Sequence, residues 1–163
     1  MIGLALLTLV PGALGGTETY VAGLLRALAA EGELDYRVYL PPVAPDAAQG
    51  LPSVVLREYR EARTLRERLV AMSAAAARPG PLRRRVTADA VHYPLTIGLP
   101  RVDAPTAVTL QDVQHLDLPH LFSRAERAFR SVFWHPSIRR ARIVIMPTEF
   151  SREIGRASCR ERV

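Results

Sequence analysis

Gly12, Gly15 and Gly16 stand between an apolar run, Ile2 to Val10, and a stretch of helical periodicity. A tight turn needs one glycine at most. Several glycines ahead of a helix let a backbone approach a ligand closely, and the helix N-terminus offers N–H groups and a positive dipole end, which is phosphate-binding chemistry. Polar side chains follow other short apolar runs in the same way. His92 and Tyr93 close "ADAVHYP", Gln111 and Asp112 close "PTAVTLQD", and Thr148, Glu149 and Ser151 follow "RIVIM".

The elements that must position these residues are readable from periodicity. Ile2 to Val10 is continuous and apolar, the pattern of a strand buried on both faces. Thr17 is placed to cap the following helix and Glu18 to favour its positive end, with Tyr20, Leu24, Leu25 and Leu28 at helical spacing and Gly32 as the stop. "DYRVYLPP" and "SVVLRE" read as the next two strands. A helix is expected from Arg60 to Ala77 with Leu65, Leu69, Met72 and Ala76 on one stripe, broken by "RPGP". "ADAVHYP" and "PTAVTLQD" are two further strands, Ser123 to Ala141 is a long helix interrupted or kinked at Pro136, "RIVIMPT" is a last strand, and "EFSREI" begins another helix. Alternating strands and helices predict an α/β fold, a Rossmann-like doubly wound and mostly parallel sheet. Ligands of such sheets sit at the carboxyl ends of the strands, where the glycine loop and the other polar residues all fall.

Composition narrows the function. A length of 163 residues with 48% apolar content suits one domain with a real core. The net charge is +6, but all 22 basic residues are arginine, and lysine and asparagine are both absent. That bias is the mark of G+C-rich coding, so the basic balance carries little argument for a nucleic-acid partner, and none is expected. The single cysteine, Cys159, excludes an internal disulfide framework. Ile2 to Val10 lacks a basic n-region and is too short to span a bilayer, which points to a cytoplasmic chain.

The absence of lysine excludes a Walker A loop. A dinucleotide fingerprint fails as well: the order is G-x-x-G-G, and the second strand ends in Leu40-Pro41-Pro42 with no acid to hold a ribose. The third arrangement is a glycine pair at a helix start facing a sugar-nucleotide diphosphate. "GGTETYVAGLLRALA", "TLQDVQHLDLPHLFS" and "RRARIVIMPTEFSRE", in that order, resemble three segments of the N-terminal domain of GT-B glycosyltransferases of the family 4 type. The sequence departs from that pattern at Gln111, where histidine is common, and at Thr148, where serine is usual. Gln111 does not titrate near neutrality, so it has no proton-transfer role.

The resemblance implies the N-terminal, acceptor-side half of a GT-B enzyme over residues 1–154. The expected activity is transfer of a sugar from a nucleotide-diphosphate sugar to a sugar or lipid-linked acceptor, retaining and metal-independent, with no cofactor. Gly15 and Gly16 are expected to contact the donor diphosphate; His92, Tyr93, Gln111 and Asp112 to contact acceptor or sugar; Thr148 and Glu149 to form the cleft edge. Most catalytic groups are expected on a second domain, so this chain alone should be inactive. Each position also has a structural reading: a turn for the glycines, a cap for Asp112, helix capping for Thr148, Glu149 and Ser151. His115 and His120, five residues apart across Pro119, do not share a helical face and make no metal pair. Arg83, Arg84 and Arg85 form either a solvated face or a peripheral contact with anionic lipid at the inner membrane surface. Residues 155–163 resemble a common sequencing adapter read in frame and are expected to be a non-native tail, the alternative being a genuine basic tail. The alternative function is a Rossmann-like binding or interaction module without catalysis.

Overall fold

The computed structural model describes residues 1–111, 114, 118–149 and 152–153. Six strands, β1 (Ile2–Ala5), β2 (Tyr36–Leu40), β3 (Ser53–Val55), β4 (Ala90–Tyr93), β5 (Thr106–Thr109) and β6 (Ile143–Ile145), form one sheet in the order β3-β2-β1-β4-β5-β6. Every pairing is parallel. This is the strand order of a Rossmann-like doubly wound fold, and its winding reverses between β1 and β4.

Helices cover both faces. On one face α1 (Gly16–Glu31) buries Val21 and Leu25 against Leu4 of β1 and Val38 and Leu40 of β2. On the other, α2 (Leu65–Ala77) and the short α3 (Gly80–Arg83) pack over Ala5, Tyr39, Val91 and Tyr93, joined by Phe129, Phe133 and Trp134 of α4 (Arg124–Arg140). Tyr39 is fully buried, and its hydroxyl is satisfied twice by Thr87: it donates to the carbonyl at 2.7 Å and accepts from the N–H at 3.1 Å. Adjacent residues of each strand serve opposite faces, so His92 faces the α1 side and Tyr93 the α2 side.

Four sequence expectations are corrected. The apolar run is buried from Gly3 to Val10, but its strand ends at Ala5; Leu6 still donates to the Tyr39 carbonyl at 2.9 Å, and then the chain turns, with Leu9 N–H bonding the Leu6 carbonyl. Burial there comes from loop packing over the sheet end, which periodicity cannot tell from a strand. The N-cap of α1 is Gly15 rather than Thr17. The second helix starts at Leu65, not Arg60, because Thr64 and Glu67 form a reciprocal capping box. Its buried positions are Ala71, Met72 and Ala75, while Leu65 and Leu69 are exposed, so the buried stripe is rotated from the expected one.

Helix α4 begins with a second capping box, Ser123 with Glu126. It continues through Pro136 without a break. Beside the proline, Ser137 Oγ donates to the Phe133 carbonyl at 2.6 Å and accepts from Gly98 N–H at 2.9 Å, tying the β4–β5 loop to the helix. Strand β6 closes one sheet edge, with Ile143, Val144 and Ile145 all exposed. After it, Glu149, Arg152 and Glu153 are helical. Among the described residues no helix is long and apolar enough to cross a membrane.

Candidate functional site

The carboxyl ends of β1, β4 and β5 meet where the winding reverses, and the glycine loop lies beside them. Gly12 and Gly15 both have positive φ, +74° and +54°, a region that favours glycine. Gly16 is the first residue of α1, and no atom lies within 4 Å of where its Cβ would be. The loop is closed from within by Glu18, whose carboxylate accepts from Gly12 N–H at 2.9 Å. Thr17 N–H bonds the Leu14 carbonyl at 3.2 Å and Glu18 N–H the Gly15 carbonyl at 3.0 Å. The N–H groups of Gly15 and Gly16 are thus the outermost donors of a 16-residue helix, on exposed residues.

The ends of β4 and β5 are stitched together through Thr109, which is completely buried. Its Oγ1 lies 2.7 Å from His92 Nε2, and its carbonyl accepts from Thr96 Oγ1 at 2.7 Å. Burial pushes the His92 imidazole down to about 4, so the ring is neutral at neutral pH. Thr96 holds φ at +67°, an outlier for a β-branched residue, and the bond to Thr109 keeps it there. Gln111 adds a third tie, donating to the Pro94 carbonyl at 3.3 Å. Strain held by its surroundings at a strand end is the kind found at ligand sites.

Between these ends and the helices lies a cavity of about 190 Å³. Leu14 and Thr17 come from the start of α1, Leu95, Thr96 and Gln111 from the strand ends, Arg68 from α2, and Phe129, Arg130 and Trp134 from α4. The Arg130 guanidinium sits 4.4 Å from the ring centroids of both Phe122 and Trp134. Arg68 lies 5.9 Å from the Phe129 centroid. Gly12 and Gly15 border a separate, shallower depression on the outer side of α1, with Glu18, Thr19 and Arg26.

The expected site residues therefore divide. Gln111 lines the cavity, Gly15 lines the separate depression on the outer side of α1, Gly16 opens α1 and lines neither, and His92 is turned to Thr109. Tyr93 points to the other sheet face, where burial raises its phenol well above the ordinary range and its hydroxyl donates to the Pro100 carbonyl at 2.6 Å. It borders a larger cleft of about 750 Å³ between α2, α4 and the β4–β5 loop. Thr148 and Glu149 follow the edge strand β6 and are exposed; Glu149 pairs with Arg152 at 2.7 Å. Asp112, His115, Ser151 and the 155–163 tail lie outside the described residues. His120 is exposed in a 3-10 turn, Pro119–Leu121, and no group of three metal-ligating side chains occurs among the described residues. In the basic run, Arg83 pairs with Asp103 and Arg85 with Glu58 at 3.2 Å.

Sequence reading missed Arg68, Arg130, Thr96 and Trp134. Arg68 had a signal: it precedes Ala71, Met72 and Ala75 by three, four and seven residues, which puts a charge in phase with the buried stripe of α2. The positive φ of Thr96 had none, since nothing in "HYPLTIG" marks it.

Comparisons of the chain with protein-family models, with curated proteins and with solved structures each return no match.

Proposed function

We propose that this chain is the acceptor-side domain of a glycosyltransferase that takes its sugar from a nucleotide-diphosphate donor. The observation that carries the reading is the glycine-bounded N-terminus of α1, standing beside a cavity at the reversal point of a parallel sheet. The order of the three GT-B-like segments supports it from the sequence.

In this reading the outer N–H groups of Gly15 and Gly16, backed by the dipole of α1, bind the donor diphosphate and stabilise the charge that grows on it as the glycosidic bond breaks. Thr17 and Gln111, with Asp112 beyond Gln111, offer hydrogen bonds to sugar hydroxyls. His92, neutral and bonded to Thr109, positions the β4 and β5 ends rather than moving a proton. The leaving diphosphate is the product of a displacement that is retaining and needs no metal, as the resemblance implies. A second domain would hold the nucleotide and complete the reacting geometry, and without it the chain does not turn over.

The test is a titration of the chain with nucleoside diphosphate sugars, read on backbone amides by NMR. Saturable shifts centred on Gly15, Gly16 and Thr17, lost in Gly16→Val with the melting temperature kept, support the reading. Amides that do not move at millimolar ligand, or that move equally in Gly16→Val, overturn it.

A further inference from the structure

The cleft of about 750 Å³ between α2, α4 and the β4–β5 loop takes no part in the proposed transfer. It lies over the sheet face opposite α1, and Thr106 and Arg142 place one end of it at the amino ends of β5 and β6, away from the glycine loop. Its floor is Tyr93, Ile97, Leu99 and Val108, all buried, with Phe133 beside them, its ring centroid 5.3 Å from that of Phe129. The hydroxyls of Tyr93 and Ser137 are already matched. Tyr93 donates to the Pro100 carbonyl at 2.6 Å, and Ser137 Oγ donates to the Phe133 carbonyl and accepts from Gly98 N–H. A ligand rich in hydroxyls would lose its hydration there and gain few hydrogen bonds, so the floor suits hydrocarbon.

Charge gathers at the other end. Helix α4 presents Val132, Phe133, Pro136, Ser137 and Arg140 to the cleft, one face at helical spacing, so Arg140 stands two turns, about 10 Å, from Phe133. Arg142 follows, its N–H bonded to the Thr106 carbonyl at 2.8 Å, and Arg101 comes from the β4–β5 loop. All three arginines are exposed, and among the described residues none of their side chains is in an ion pair or hydrogen bond. The carboxylate that lines the cleft, Asp103, is taken by Arg83. The negative end of α4 is near as well, but it counts for about half a charge against three guanidiniums. The cleft therefore has an apolar floor and a cationic mouth, and its volume falls within the roughly 300–1,000 Å³ of ligand sites.

We propose that this cleft binds an amphiphile with a hydrocarbon chain and a phosphate head, the chain over Tyr93 and Phe133 and the head among Arg101, Arg140 and Arg142. Phosphate suits the mouth better than carboxylate, because its further charge and third oxygen engage more than one guanidinium fork. The site does not rest on the transferase reading.

The experiment titrates the whole chain with butyl, hexyl and octyl phosphate, below the concentration at which each forms micelles, and follows backbone amides by NMR. Saturable shifts at Gly98, Ser137 and Arg140 are expected, with affinity rising roughly two- to fourfold per added methylene, the upper figure being full transfer of each group out of water. Inorganic phosphate and octanol should each bind about tenfold more weakly than octyl phosphate, or worse, since each lacks one half of the match. Arg140→Gln and Arg142→Gln should each weaken octyl phosphate about fivefold with the melting temperature kept, because both side chains are exposed. Arg139→Gln is the control: it removes the same charge from a neighbour that does not line the cleft, and affinity should stay within about twofold. The absence of saturable shifts, affinity independent of chain length, or an equal loss in the Arg139 and Arg140 variants overturns the site. Octyl phosphate that moves the Gly15 and Gly16 amides alone also overturns it and leaves the transferase reading intact. Nucleoside diphosphate sugars that move no amide, with octyl phosphate bound at Gly98 and Arg140, would overturn that reading and keep this site.

Discussion

The carboxylate of Glu18 reaches back across its own loop to accept the Gly12 N–H at 2.9 Å. The bond fixes the loop that presents Gly15 and Gly16, and it also sets a negative charge beside the donors meant for a diphosphate. The two effects separate by substitution. Glu18→Gln keeps the reach and removes the charge, and should tighten nucleoside-diphosphate binding roughly fivefold, the equivalent of about 1 kcal/mol for one exposed charge pair at close range. Glu18→Ala removes the tie as well and should lower the melting temperature. NMR titration and thermal melts read the two outcomes.

Gly15 and Gly16 are adjacent but not equivalent. Gly15 caps α1 with φ +54° and ψ −128°, a conformation that side chains rarely adopt, whereas Gly16 opens the helix with free space around its missing Cβ. Gly15→Ala should cost about 1–3 kcal/mol of stability in urea denaturation. Gly16→Ala should leave stability unchanged or raise it, since alanine is the better helix former. Equal effects at both positions would contradict the loop geometry.

His92 makes the fold acid-sensitive. Its imidazole is held at about 4 against 6.5 for the free side chain, so between these values the unfolded chain binds the proton that the folded one refuses. Its contribution is complete above pH 6.5 and fades as pH falls toward 4, a loss on the order of 3 kcal/mol from the pKa difference. His92→Gln, which cannot titrate, should flatten the fall in melting temperature over that window while keeping a partner for Thr109. An unchanged pH profile in the variant would show that the acid sensitivity arises elsewhere.

Ser123 caps α4 and also holds the Glu126 carboxyl below its ordinary value, first through its side chain and then through its backbone N–H. Ser123→Ala should cost about 1 kcal/mol, the usual loss for an N-cap. The Glu126 carboxyl should move up toward the ordinary range, though not all the way, because the backbone bond remains. A carbon-detected NMR titration of Glu126 measures the second effect independently of stability.

The parallel sheet was legible because its strands are short, apolar and separated by helical stretches. "YRVYL", "AVHY" and "TAVT" fall within the predicted runs. The ends of elements were less so. Leu6 to Val10 is as apolar as any strand, and only the turn at Leu9 reveals that it packs as a loop. The α2 boundary followed a capping box that helical periodicity alone does not show. Of the site, the glycine loop and Gln111 could be read, because both sit just past strands. Arg68 and Trp134 could not be joined to them: they lie 66 residues apart on different helices, and their meeting depends on how α2 and α4 cross the same face.

Strand β6 lies at the rim of the sheet, pairs with β5 alone, and shows Ile143, Val144 and Ile145 to solvent. Its outer peptide groups are a template for any extended chain that comes near, without lysine or proline within the strand to discourage it. For purified protein this sets a handling limit rather than a catalytic property. On concentration or warming, soluble material should be lost to intermolecular β-structure while the helices are still intact, and one arginine at Ile143 should act as a gatekeeper that extends the usable range.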